Sequence, residues 1–265
     1  MITKKGAYQL PRTEVWQWDA GGVERSVFIS VPKQAPPPDG FPVLIALDGN
    51  AVFASLTETV RLQTRPPHGY PPAMVVGIGY PIDEPFSRND RFFDYTVKAE
   101  RDERGPIKGD WPETGGVEAF LSIIEEELLP SLESAYALHP TKRALFGHSL
   151  GGLCVLHTLL TRDHLFETYI AGSPSIWWKK QYVKQVAQSF LGSEISKKLL
   201  ICVGSNEKGH MLDDTKEMAQ SLAEVPELDV SFMQIEGAGH IRVLQPLMTE
   251  AIRTFLATGE ESVRL

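Results

Sequence analysis

Apolar and polar positions alternate near the start of the chain. Val15, Trp16 and Trp18, a Gly21-Gly22 pair, then Val27, Phe28, Ile29 and Val31 predict an antiparallel hairpin over 13–31. Pro32 to Gly40 is proline-rich and reads as a loop. The alternation then gives way to continuous apolar runs, Phe41–Leu47 and Ala73–Tyr80, which suit strands buried on both faces of a parallel sheet. Between them a helix is predicted over Phe53–Leu62 and a loop over 65–72. Pro81 to Thr114 is polar and without clear period, and reads as a long loop of the kind that carries function or moves.

Helical spacing resumes at Val117, Phe120, Leu121, Ile124, Leu128, Leu129 and Leu132. An apolar strand follows from Arg143, with a helix over Leu153–Leu160. Next come a strand at Tyr169–Ser173, a helix at Lys180–Phe190, a strand at Lys198–Gly204, a helix at Asp214–Leu222, a strand at Val230–Ile235 and a helix at Val243–Leu256. Strands alternating with helices predict an α/β fold, with a mostly parallel central sheet, helices on both faces and the antiparallel hairpin at its N-terminal end. With no repeat or linker, residues 1–265 read as a single domain.

Composition changes this picture little. Hydrophobic residues make up 42% and charged residues 23% of the 265, as in an ordinary globular protein. The net charge of -8 argues against nucleic acid or an anionic membrane as partner and leaves room for a local basic pocket. Cys154 and Cys202 lie in apolar runs and read as buried free thiols. The N-terminus has no apolar signal region and no run reaches transmembrane length, so the expected location is cytoplasmic. The sequence specifies no oligomeric state.

The candidate chemistry centres on Gly147-His148-Ser149-Leu150-Gly151, between a predicted strand and helix. Gly-x-Ser-x-Gly in that setting is a nucleophile elbow, with Ser149 as nucleophile. A serine hydroxyl needs a base. Of seven histidines (68, 139, 148, 157, 164, 210 and 240), His240 is best placed, in a glycine-rich loop after the last strand. His148 reads as structural, His210 as the reserve base, and the others as lacking an acid partner and mostly facing solvent. Glu207, after the preceding strand, is the candidate acid, with Asp213 and Asp214 close by. The order Ser, acid, His is that of α/β-hydrolases. The oxyanion hole would use the Leu150 amide and that of Gly49 or Asn50.

In the long polar stretch, Arg88 and Arg91 stand among aromatics and could bind anionic oxygens. Trp177 and Trp178 could equally be pocket walls or packing. No metal-ligand spacing, phosphate loop or basic tract is present.

Several pieces together resemble the putative-esterase family of α/β-hydrolases, above all its siderophore esterases, the enterobactin, salmochelin and bacillibactin trilactone hydrolases. They are Val43–Val52 with Leu47-Asp48-Gly49-Asn50, Val76–Tyr80, Arg91–Thr96, Gly115-Gly116, Gly147–Leu153, Ala171–Ser175 and Gly239-His240. The resemblance implies hydrolysis of a catecholate trilactone by Ser149 and His240. It also implies Arg91 on catecholate oxygens; no cofactor is expected, and iron could arrive bound to the substrate. Some relatives lack the acid after the penultimate strand; Glu207 makes a triad possible here. The alternatives are a general carboxylesterase, an S-formylglutathione hydrolase-like thioesterase, and a non-catalytic ferric-siderophore-binding protein on the same fold.

Overall fold

The computed structural model describes residues 2–3, 6–67, 69–103, 110–190, 192 and 196–257. His68 and residues 104–109 of the predicted long loop lie outside them. Strands β1 (Thr13–Ala20) and β2 (Val23–Ser30) form the hairpin, in register from Thr13 opposite Ser30 to Ala20 opposite Val23. Its two-residue turn needs left-handed backbone, and Gly21 and Gly22 supply it at φ 62° and 76°. β2 then pairs antiparallel with β4 (Met74–Gly79). The remaining strands, β3 (Phe41–Ala46), β5 (Leu138–His148), β6 (Thr168–Gly172), β7 (Lys197–Gly204) and β8 (Leu228–Ile235), run parallel with β4. The sheet order is β1-β2-β4-β3-β5-β6-β7-β8.

Why the apolar runs are continuous is visible in how they pack. Along β3, Val43 and Ile45 face one core while Leu44 and Ala46 face the other, so both sides of the pleat are dry. The second core lies under α1 (Gly49–Gln63) and α8 (Leu244–Leu256), through Phe53, Leu56, Leu247 and Ile252. The first lies under α2 (Arg88–Tyr95), α3 (Val117–Ile123), α5 (Leu150–Thr161), α6 (Tyr182–Ser189) and α7 (Met211–Leu222). A π-helical turn, Ile124–Leu128, joins α3 to α4 (Leu129–Ala135); Pro130, just after it, has no N–H to give the helical ladder.

Four expectations need correction. The stretch 81–114 is not all loop, because α2 lies within it. α2 buries Phe92 and Tyr95, but also Asp94, whose carboxylate takes Arg25 of β2 in a two-pronged ion pair at 2.8 and 2.7 Å. Helices α1 and α5 begin at Gly49 and Leu150, three to four residues earlier than the apolar spacing suggested. α6 starts at Tyr182, after a turn in which Lys179, Lys180 and Gln181 all have positive φ. Finally, His157 is buried, not solvent-facing. Its Nε2 meets Glu118 Oε1 at 2.8 Å and the Tyr182 hydroxyl faces Nδ1 at 3.3 Å. His164 also has an acid partner, Glu125, at 2.8 Å.

Both cysteines are buried and free. Among the described residues no helix is long and apolar enough to cross a membrane.

Candidate active site

The parallel strands end at one edge of the sheet, and the candidate residues gather there. Ser149 links β5 directly to α5 with φ 61° and ψ -115°, a region a residue with a Cβ enters only when its surroundings hold it. Those surroundings are backbone bonds: Ser149 N–H donates to Gly172 O (2.9 Å), and Ser149 O accepts from Ser175 N–H (3.0 Å) and Leu153 N–H (2.9 Å). The sharp turn also demands glycine. A Cβ on Gly147 would stand 2.3 Å from Gly151 O.

Leu150 is the first residue of α5, and Gly49 and Asn50 are the first two of α1. N–H groups there have no partner within their helix and lie at its positive end. The Asn50 side chain is committed elsewhere. It accepts from Tyr80 N–H (2.9 Å) and donates to Tyr80 O (2.9 Å) and Ile82 O (3.0 Å), tying α1 to the end of β4. Only its backbone amide remains as a candidate oxyanion donor.

His240 sits after β8. Its Nδ1–H faces both oxygens of Glu207, at 3.1 and 3.0 Å, which leaves Nε2 as the basic nitrogen. The Glu207 side chain is 1% exposed. Burial works against its charge, but the hydrogen bonds from His240 and Ser173 outweigh it and hold the carboxyl below its usual range. The Ser149 hydroxyl lies 3.3 Å from that of Ser175; among the described residues no hydrogen bond joins it to His240. Catalytic bonds are commonly loose before substrate binds.

His148 supports the loop that carries His240. Its Nε2–H donates to His240 O at 2.8 Å, and the two rings lie 4.6 Å apart. Burial, with the nearby His240, depresses its pKa to about 3, so it is a neutral strut. His210 is exposed at the N-terminus of α7 and makes no part of the cluster. Asp214 instead binds Lys184 and Gln181.

Ser149 and His240 share a cavity of about 190 Å³ with Phe86, Arg88, Arg91, Phe92, His148 and Ile241. Arg88 is exposed, its guanidinium donating to Asp110 O at 2.9 Å. Arg91 lines the cavity too, but its two prongs are taken by Asp48 at 2.9 and 2.8 Å. Trp177 and Trp178 are not among the residues lining this cavity; of the two readings left open for them, packing is the one their contacts favour. Trp178 has no exposed surface, donates its indole N–H to Val97 O at 3.1 Å, and packs on Phe92 and Trp111. Half-buried Trp177 packs against it.

Sequence reasoning gave no role to Ser173, Ser175, Asp48, Phe86 or Ile241. The serines had a signal, since they end β6, the neighbour of the elbow strand. Among the described residues no group of three or more His, Cys, Asp or Glu could hold a metal ion.

Over most of its length the chain is similar to known esterases. The chain is 41% identical over 264 aligned residues to the ferri-bacillibactin esterase BesA of Bacillus subtilis, covering 93% of this chain and 90% of that one. It is 30% identical over 201 residues to a siderophore triacetylfusarinine C esterase of Aspergillus fumigatus, covering 71% and 66%. The structure superposes on the BES protein from Bacillus cereus with a TM-score of 0.91 at 34% identity, over 97% of this chain and 100% of that one. On the siderophore hydrolase EstB from Aspergillus nidulans the TM-score is 0.83 at 27% identity, over 96% and 97%. The fold is that of the α/β-hydrolase esterases. The family model described as "Putative esterase" matches residues 20–242, and the chain belongs to that family.

Proposed function

We propose that this protein is a serine esterase that hydrolyses the ester bonds of a siderophore, a catecholate trilactone of the bacillibactin or enterobactin type. The observation that carries the reading is the Glu207–His240 pair, at 3.0 Å, opening on the same cavity as Ser149. Ser149 Oγ attacks the ester carbonyl carbon while His240 Nε2 takes its proton. The amides of Leu150 and of Gly49 or Asn50 receive the oxyanion, an arrangement worth about 3 kcal/mol per donor. The C–O bond breaks, and the leaving alkoxide takes the proton from His240. Water then repeats the sequence on the acyl-serine, releasing the acid and restoring the hydroxyl.

Arg88, exposed at the cavity rim, suits an anionic substrate, and Phe86 and Phe92 suit an aromatic one. No cofactor takes part in these steps; iron is cargo of the substrate. Release of iron in the cytoplasm after uptake, by one domain spanning 1–265, is the setting this reading supposes.

The test offers ferric and iron-free trilactone, and a short aryl ester, to the wild type and Ser149→Ala. Loss of all turnover in a folded variant, with wild-type Ser149 labelled by a fluorophosphonate, is the expected result. Siderophore binding without hydrolysis or labelling would make the protein a binder. Turnover of aryl esters alone would make it a general carboxylesterase, and turnover of S-formylglutathione alone a thioesterase.

A further inference from the structure

We infer that Arg91 is a positioning residue which, through Asp48, fixes the loop carrying the second oxyanion donor, and is not a direct binder of substrate anions. This rests on the proposal that Ser149 is the nucleophile. Arg91 Nε and Nη2 reach the two oxygens of Asp48 at 2.9 and 2.8 Å. The side chains are 12% and 3% exposed. This is the planar two-pronged match that arginine makes and lysine cannot.

Asp48 precedes Gly49 and Asn50 and has left-handed backbone, φ 55° and ψ 46°, which a non-glycine keeps only when held. Every polar group of the residue is engaged in holding it. Its N–H donates to the Tyr95 hydroxyl (3.0 Å), its carbonyl accepts from Ala51 and Val52 N–H (2.9 and 3.3 Å), and its carboxylate is on Arg91. Arg91 Nη2 also reaches the carbonyl of His148, next to Ser149, at 3.4 Å. A Cβ on Gly151 would lie 3.3 Å from Asp48 Oδ2, so the aspartate also abuts the first turn of α5. One guanidinium therefore joins the two strand ends from which both proposed oxyanion donors project. With its charge matched by Asp48, it presents an ion pair to an incoming anion, and Arg88 is left as the cation at the rim.

The test uses Arg91→Lys and Asp48→Asn with an uncharged short-chain aryl ester and with a ferric tricatecholate trilactone. Positioning predicts that kcat on the uncharged ester falls about 10²-fold in both variants, the scale on which small misplacements act, with KM little changed. Fluorophosphonate labelling of Ser149 should slow in parallel. The inference is overturned if Arg91→Lys keeps its kcat on the uncharged ester and only raises KM for the ferric substrate. It is equally overturned if Asp48→Asn, folded, keeps kcat. Should Asp48→Asn fail to fold, Arg91→Lys decides alone. Absence of Ser149 labelling in the wild type would instead sink the esterase reading, so the two failures are distinguishable.

Discussion

The hydroxyl of Ser173 donates to Glu207 Oε1 at 2.5 Å, from a backbone held at φ 38°. Ser173 is fully buried at the end of β6, with its N–H on Cys202 O at 2.7 Å. The carboxylate that orients His240 is thus itself oriented, from the strand beside the nucleophile. A hydrogen bond to a charged group contributes about 1.5–3 kcal/mol. Ser173→Ala is expected to lower kcat roughly tenfold or more, as steady-state kinetics would report. The Ser173 hydrogen bond helps hold the Glu207 carboxyl below its usual range, so removing this donor to the ionised form raises the proton affinity of Glu207. The acid limb of the kcat/KM profile should therefore move to higher pH. An unshifted profile with unchanged kcat would deny the serine this part.

His148 makes stability depend on pH. Its folded pKa, about 3, lies below the unfolded value of about 6.5. The unfolded chain therefore binds more protons between these values, and stability falls as pH drops through that window. From pH 7.5 to 5 this one residue should cost roughly 2 kcal/mol, 1.5 units at 1.36 kcal/mol each. His148→Gln keeps a donor for His240 O but does not titrate. Urea denaturation at the two pH values should show a smaller drop in the variant than in the wild type. Equal drops would mean that this imidazole is not the source.

The Arg25–Asp94 pair joins the N-terminal hairpin to α2, with side chains 3% and 1% exposed. Asp94 also accepts from the Tyr80 hydroxyl at 2.8 Å, and Arg25 donates to Ala20 O at 3.0 Å. Removing one charge strands the other away from water, at about 3–5 kcal/mol. Asp94→Asn should lower the urea midpoint accordingly. A midpoint within the error of wild type would show that water or local relaxation already serves Arg25.

Period and punctuation made most of the fold legible: the hairpin from alternation, the parallel strands from apolar runs, and Ser149, His240 and Glu207 from their places after strands. What stayed hidden has physical causes. α2 turns a carboxylate inward, and no apolar period reveals a helix whose buried face is charged and whose partner, Arg25, lies 69 positions away. The early starts of α1 and α5 follow from Asp48 and Ser149, which turn straight into a helix from positive φ, a geometry that residue type alone does not announce. Arg91 was legible as a cation near the site but not as one already paired, because its partner follows a different strand. Trp177 and Trp178 fell at the expected edge, yet a tryptophan beside a site and one beneath it read alike until the packing is seen.

The cavity at Ser149 is about 190 Å³, below the roughly 300–1,000 Å³ of pockets that engulf a drug-sized ligand. On the siderophore reading, most of a bulky three-armed chelate stays outside while one ester edge of its trilactone ring reaches Ser149. Scission then happens at the doorstep, and the metal, gripped by the catechols away from the ring, need never enter the cavity. The same threshold would serve ring and opened chain alike, each clipped product returning as the next guest.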